Sequence, residues 1–387
     1  MRGCDDLYDV VVAGGGPAGA AAALALAREG RTVVLADAAT GAPSVGEALP
    51  AAAGVLLRDL GVGDRIPGDG HLPCYANLSA WGSSALGAVD SVNDPHGPGW
   101  HLDRPLFDRR LRACAQAAGA HVETRTTVRP GARHADGTWT VSLRRAGDCR
   151  TDDYRADGCR TVRCRWLVDA TGRRAAIATA CGARRRTYDR LTALHCVLGR
   201  DRDACADNST LVEAAPDGWW YSAGLPSEHL LVAWFTDADL PAARTGPPWL
   251  DRLAATRHIA ARVGVGVGAG LRHGRATHVT HVVPRRAPAH TAHLDLVHGD
   301  GWTAAGDAAA AFDPLSSQGI LTALYTGMRA GEAIAARLDG DPVALDHYAA
   351  NVAGIVAAHL HNRDAYYALE RRWPQRQFWR RRRHRAP

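Results

Sequence analysis

The sequence predicts an α/β fold: a parallel-sheet nucleotide-binding unit, interleaved with an antiparallel-sheet unit and followed by a C-terminal helical segment. Three observations predict it. A short apolar strand, Tyr8 to Val12, runs into the turn Gly14-Gly15-Gly16-Pro17-Ala18-Gly19, and an Ala/Leu helix pattern then continues to about Glu29. A second strand, Thr32 to Leu35, follows and is closed by Asp37. Far downstream, the apolar stretch Gly301 to Ala305 leads into Gly306-Asp307 and, after a turn, into an Ala-rich helix pattern from Leu321 to Leu338.

The first two observations describe a dinucleotide site. Glycines spaced Gly-x-Gly-x-x-Gly give a tight turn, a close approach to a pyrophosphate and close packing of helix on strand. Asp37 stands where an acid meets a ribose 2′-hydroxyl, although a strand-end acid also has a purely structural reading. The third observation adds a second anchor. A strand ending in Gly306-Asp307 brings a carboxylate to the carboxyl edge of the sheet, where ligands bind in open α/β folds. The turn from Pro314 to Gly319 presents backbone N–H groups at a helix start, a ready anion site. An acid beside four alanines is costly without a partner. A sugar-alcohol chain next to an electron-rich ring needs both groups, so the cofactor expected is FAD.

Composition fits one enzyme of interleaved units. At 387 residues and 46% hydrophobic, the chain can bury a large core. The glycine turn begins near residue 14, leaving no room for a signal peptide, and no apolar run approaches the ~20 residues of a membrane span, so a cytoplasmic location without membrane contact is expected. The nine cysteines form no C-x-x-C pair, which suits reduced thiols and argues against a metal site. All 46 basic residues are arginine. A GC-rich genome explains that bias, yet it excludes any mechanism that needs an ammonium. The net charge of +6 owes much to the run Arg380 to Arg385, read as a solvated, frayed tail rather than a nucleic-acid site.

Between the cofactor motifs the chain alternates units. A loop through Gly46-Glu47-Ala48-Leu49-Pro50 leads into a helix, Ala51 to Leu60; a strand follows near Leu78 to Trp81. Asp103, with Pro105 just behind it, marks a helix start and Gly119 its end. Thr138 to Arg144 and Val162 to Val168 read as strands, the latter running into Asp169-Ala170-Thr171-Gly172. Leu191 to Leu198, Ser209 to Ala214, Trp219 to Ala223 and Leu230 to Phe235 suggest an antiparallel meander. Trp219, Trp220, Tyr221 and Trp234 make it the candidate substrate wall, with Trp219 and Tyr221 on one face and Trp220 on the other. The Gly264 to Gly270 run lacks the third glycine at the right offset and follows a helical pattern, so no second dinucleotide fold is expected. The cofactor unit is accordingly placed in 1–70, 101–190 and 286–340. The substrate unit takes 71–100 and 191–285, and the C-terminal helices and basic tail take 341–387.

These motifs together carry a resemblance. Gly14-x-Gly16-x-x-Gly19, Gly46 to Pro50, Arg104-x-x-Phe107-Asp108, Asp169 to Gly172, Gly306-Asp307 and Asp313-Pro314-Leu315 are similar to those of p-hydroxybenzoate-hydroxylase-type monooxygenases, geranylgeranyl reductases and tryptophan halogenases. Gly218 to Tyr221, Asp313 to Ile320 and the ending Tyr366-Tyr367 to Phe378-Trp379 most resemble the halogenase-like maturation flavoproteins that oxidise peptidyl tryptophan in tryptophylquinone formation. The resemblance implies a glutathione-reductase-type, Rossmann-like FAD fold. It places Gly14, Gly16, Pro17, Ala18 and Gly19 at the pyrophosphate and Asp37 at the adenosine ribose. Arg104 falls at the phosphate or ribityl region, where an ion pair with Asp103 or Asp108 is the alternative. Ala170, Thr171, Gly172 and Gly306 join the cofactor set, with Asp307 on the ribityl chain. Pro314 leads to the Gly319 and Ile320 backbone at the flavin pyrimidine edge.

Two departures separate the reaction from halogenation. The resemblance implies an invariant active-site lysine and a threonine before the turn's glycine; this chain has no lysine and carries Gln318 there. Oxygen chemistry remains, in which the C4a-(hydro)peroxide of reduced flavin attacks an electron-rich ring. The substrate expected is a tryptophan side chain in a peptide or protein, oxidised once or repeatedly toward a quinone. NAD(P)H or a partner flavin reductase would supply electrons. Glu47, His101, His195 and Gln318 are the candidate catalytic residues, the histidines also having a structural reading. A halogenase and a geranylgeranyl-reductase-like oxidoreductase are the alternatives.

Overall fold

In the computed structural model, residues 7–38, 47–63, 65–91, 94–146, 158–199, 208–264 and 283–383 are described. Parallel strands lie side by side in the order Trp302–Ala304, Cys159–Asp169, Leu7–Ala13, Val33–Asp37, His121–Thr124. Val10, Val11 and Val12 are all fully buried, because this sheet is covered on both faces and an unbroken apolar run suits it. The order brings the carboxyl ends of Leu7–Ala13 and Trp302–Ala304 to one edge, so the Gly14 and Gly306 turns meet there.

Helices Pro17–Arg28 and Gly319–Leu338 explain the alanine richness of both motifs. A Cβ at Gly327 would lie 2.1 Å from the Ala18 carbonyl oxygen, and one at Gly331 would lie 2.9 Å from that of Ala22. The two helices therefore touch backbone to backbone. They run parallel, with the start of Pro17–Arg28 against Gly327, so that Gly319–Leu338 extends about two turns further toward its own N-terminus.

The antiparallel unit is a seven-stranded sheet in the order Arg285–Pro288, Leu191–Gly199, His229–Asp237, Gly218–Leu225, Ser209–Ala215, Ala76–Ala80, Gly87–Asp90. Only its last three long strands form a meander. Leu191–Gly199 pairs with His229–Asp237 rather than with the strand that follows it in sequence, which corrects the simple meander expected. Residues 71–100 also divide: Leu72–Cys74 joins Ala48–Leu49 and Gly99–His101 in a small sheet against the cofactor unit. Of the glycine run, positions 265–270 lie outside the described residues.

Residues 380–383 overturn the frayed-tail expectation, while His384 and Arg385 lie outside the described residues. Gln377–Arg383 is a helix, packed through Phe378 and Trp379, both fully buried. Arg381 and Arg382 both bond the Asp237 carboxylate at 2.8–3.3 Å, and Arg382 lies 3.6 Å from the Phe378 ring centre. Two arginines thus neutralise one buried acid, and the Arg382 guanidinium adds a cation–π contact to the Phe378 ring. Replacing Arg382 with Met is expected to cost about 2 kcal/mol by urea unfolding. That is less than the full cost of orphaning a buried acid, because Arg381 stays on Asp237. An unchanged midpoint would show the helix to be dispensable.

Candidate active site

The glycine turn divides its labour as the spacing predicts. Gly14 has φ +107°, and a Cβ there would sit 2.2 Å from the Ala170 carbonyl oxygen. Gly19 packs against the turn itself, with a Cβ position 1.8 Å from the Gly14 carbonyl oxygen. Gly16, the residue before the helix, has open space at its Cβ position. Pro17 occupies the first helical position, where its missing N–H costs nothing. Turn and packing are thus occupied by protein, and the middle glycine is open to a ligand.

Asp37 lies at the end of its strand beside this turn and pairs with Arg112 Nη1 at 3.2 Å; Arg112 also donates to the Gly15 carbonyl at 2.9 Å. Arg104 pairs with Asp108 at 3.1 Å, the alternative weighed for it. Arg104, Asp108 and Arg112 stand four residues apart on the helix Arg104–Ala117, so they share one face turned to the glycine motif. Asp103 caps that helix by accepting from the Leu106 N–H at 2.9 Å. Arg112 escaped the sequence reading. Its spacing from Arg104 and Asp108 was the available signal.

On the other side of the edge, Gly306 has φ +62°, with its Cβ position 2.6 Å from Ala18 Cβ. Asp307 follows with its side chain 40% exposed and 3.5 Å from Arg173 Nε, so its carboxylate is paired yet accessible. Ala170 backs Gly14, while the Thr171 hydroxyl is spent inside its own turn, bonding Asp169 at 2.7 Å. Gly172 has φ +68° and no neighbour at its Cβ position. Asp313 caps the Pro314–Ser316 turn through the Leu315 N–H at 3.0 Å. Gln318 and Gly319 are exposed at the start of the long helix, and Ile320 is buried beneath them.

These residues fit FAD. The glycine cradle at Gly16, the open helix start at Gly319 and the accessible Asp307 carboxylate stand on one sheet edge, as a pyrophosphate, a flavin edge and a ribityl chain require.

The antiparallel sheet meets this edge through Tyr221, whose hydroxyl donates to Glu47 Oε1 at 2.8 Å. Burial, reinforced by the Glu47 carboxylate, holds the phenol well above its usual range, so Tyr221 stays protonated. Strand register puts Ser79, Val212, Tyr221, Ala233 and His195 in one row across five strands. Tyr221 and His195 are thus separated by two strand spacings, roughly 10 Å of backbone. His195 is buried, and its Nδ1 has no hydrogen-bond partner among the described residues. Burial, with Arg285 adding to it, lowers its pKa and keeps the ring neutral. His101 is fully buried in the small sheet, one residue before the Leu102 N–H that donates to the Glu47 carbonyl. Its backbone pairs with Ala48 in that sheet, beside the Glu47 loop.

The expected aromatic wall needs correcting. Trp219, Trp220 and Trp234 are each no more than 1% exposed. Trp219 stacks on Phe235 with ring centres 3.9 Å apart, and Trp220 meets Trp234 and Trp249 at 5.1 and 5.2 Å on the opposite face. They are core, because a sheet covered on both faces draws its largest rings inward. Of the four aromatics, Tyr221 is the one that reaches the cofactor edge.

A paired glycine and Gly-Asp site on this fold defines an FAD-dependent oxidoreductase. Residues 7–220 match the FAD binding domain family, and the chain belongs to it. It is 30% identical to LodB of Marinomonas mediterranea, a protein named as an FAD-dependent oxidoreductase, over 97% of this chain and 96% of that one. In structure it is similar to the myxobacterial chondrochloren halogenase CndH, with a TM-score of 0.81 and 21% identity over 97% of this chain and 86% of that one. It is also similar to the peptidyl tryptophan dihydroxylase QhpG, with a TM-score of 0.74 and 24% identity over 97% and 78%. At such identities the structural likeness shows the fold. No helix among the described residues is long and apolar enough to cross a membrane, and no metal-ligating cluster occurs among them.

Proposed function

We propose that this chain is a monooxygenase that hydroxylates an electron-rich aromatic ring, a tryptophan side chain carried by a peptide or protein, once or repeatedly toward a quinone. The observation that carries the reading is the absence of lysine from all 387 residues. Halogenation as known in the resembling enzymes needs an ammonium to handle hypohalous acid, and no guanidinium replaces it chemically. A tryptophan dihydroxylase and a halogenase both share the fold, so residue chemistry decides between them.

Bound FAD, once reduced by NAD(P)H or a partner flavin reductase, supplies the electrons that activate dioxygen. Gly16 would hold its pyrophosphate on the turn that Gly14 and Gly19 shape, Asp37 and Arg112 would border its ribose, and Asp307 would meet its ribityl chain. The protein's own contribution is positioning and proton handling. Tyr221 remains a neutral phenol and donates its hydrogen bond to the Glu47 carboxylate, which fixes the loop that flanks the substrate. His195 is neutral, so Nδ1 can take the proton that a ring carbon releases as aromaticity returns. The buried row through Ala233 keeps water from that transfer.

The test is mass spectrometry of a tryptophan-bearing peptide encoded beside this chain, incubated with the yellow protein, a reductant and oxygen in chloride and bromide buffers. Addition of oxygen mass to the tryptophan is expected. Halogen incorporation, or an unchanged peptide with every reductant, would sink the reading.

A further inference from the structure

One strand ties the substrate sheet to both flanks of the cofactor site. Tyr221 and Trp219 project from the same face of Gly218–Leu225. Tyr221 reaches Glu47, as described. Trp219 Nε1 donates to the Tyr367 hydroxyl at 3.0 Å, and that hydroxyl donates to Asp313 Oδ2 at 2.8 Å. Asp313 Oδ1 accepts from the Leu315 N–H, so the relay ends on the turn that delivers Gly319 and Ile320.

The relay is built rather than incidental. Trp219, Tyr367 and Asp313 are each 1% exposed. The Tyr367 ring is gripped by Trp81 at 5.7 Å and Phe378 at 6.2 Å, while the Arg382 guanidinium lies 4.9 Å from its centre. Arg382 is itself anchored to Asp237 on the neighbouring sheet strand, so the ring cannot drift along the sheet. A buried carboxyl needs its donors. Asp313 has two, and one of them, Tyr367, belongs to the long helix Ala344–Leu369 of the C-terminal segment.

We propose that Tyr367 is a positioning residue for the cofactor. It holds Asp313, and through Asp313 the Pro314–Ser316 turn, at the distance from the substrate sheet that lets the Gly319 and Ile320 backbone meet FAD. The proposal rests on the reading that this backbone faces the flavin, and it assigns the C-terminal segment a part in the site. Fixing the turn in advance spares the cofactor the cost of ordering it. Phenylalanine would fill the same volume without the donor, leaving the turn free to tilt away from the sheet.

The experiment titrates FAD into apoprotein well below the melting temperature, following quenching of flavin fluorescence and the visible band of the bound flavin. Tyr367→Phe is expected to weaken FAD about tenfold and to shift the flavin band, with the circular dichroism of the apoprotein unchanged. Trp219→Phe, which leaves the Tyr367–Asp313 bond in place, is expected to stay within about threefold of the parent. Gly319→Val tests the underlying reading separately and is expected to weaken FAD at least as much as Tyr367→Phe. Normal affinity and an unshifted band in Tyr367→Phe, beside a weak Gly319→Val, would overturn the positioning role alone. Normal affinity in Gly319→Val would overturn the flavin-facing reading. Should Tyr367→Phe fail to fold, Asp313→Asn carries a milder form of the same test, since its amide oxygen can keep the Leu315 cap while the phenol loses its charged acceptor and the link weakens.

Discussion

A Gly14→Ala protein should purify colourless. The methyl group would sit 2.2 Å from the Ala170 carbonyl oxygen, at a φ of +107° that alanine resists. Left-handed backbone costs a non-glycine residue roughly 1–2 kcal/mol, and forcing atoms into a packed contact adds about 1–3 kcal/mol. The turn can relieve this strain only by moving away from the end of the Cys159–Asp169 strand, and the pyrophosphate cradle moves with it. FAD affinity should fall about a thousandfold, equivalent to ~4 kcal/mol. The ratio of flavin to protein absorbance reads the outcome, and flavin titration gives its size. Gly16→Ala is the informative companion. Its Cβ position has no protein neighbour within 4 Å, so the apoprotein should fold as stably as the parent while losing FAD affinity. Full flavin content in Gly14→Ala would remove the glycine turn from the cofactor site.

The second large effect belongs to Asp313 and depends on pH. Burial, with the negative Asp189 adding to it, raises this carboxyl from its ordinary 3.8 to about 6. The folded protein therefore holds a proton there that the unfolded chain has released by pH 5. The sign follows directly: Asp313's contribution is fully present below about pH 4 and is lost as pH rises through about 6. The loss amounts to about 3 kcal/mol by pH 8. Asp313→Asn cannot ionise. It should be less stable than the parent below about pH 4, by about 1 kcal/mol for the weakened bond to Tyr367, and should overtake it by about pH 5. His359, held down at about 4 by burial and by Arg363, adds its own slope as the unfolded ring titrates near 6.5, but it does so equally in parent and variant. Urea unfolding between pH 3.5 and 8 tests this. Parallel curves for parent and variant would mean that Asp313 stays ionised throughout.

Much of the fold was legible because local signals agreed with the tertiary ones. The strand before Gly14 and the helix after it each had one reading, and the parallel sheet follows from them. The Pro105 and Asp103 pairing gave its helix start to the residue. Strand order was not legible, because alternation shows which face a residue takes but not its neighbour; hence Leu191–Gly199 pairs with His229–Asp237. The tryptophans misled for a related reason. Aromatic area marks a surface that must be buried, and composition alone does not say whether a ligand or the protein buries it. The arginine run misled because a charge series is usually solvated, whereas Asp237 and Asp239, more than 140 residues away in sequence, draw two of its members inward. Long-range pairing of this kind leaves no local trace.

The double tether of the Gly218–Leu225 strand sets a rule for building chimaeras. A substrate sheet transplanted from a relative would arrive with its own residues at positions 219 and 221, facing loops at Glu47 and Asp313 that it had never met. The transferable module is therefore not the sheet alone. It comprises the sheet, the 366–383 segment and the turn from Asp313 to Ser316, three stretches scattered along the chain that have to be exchanged as a single piece.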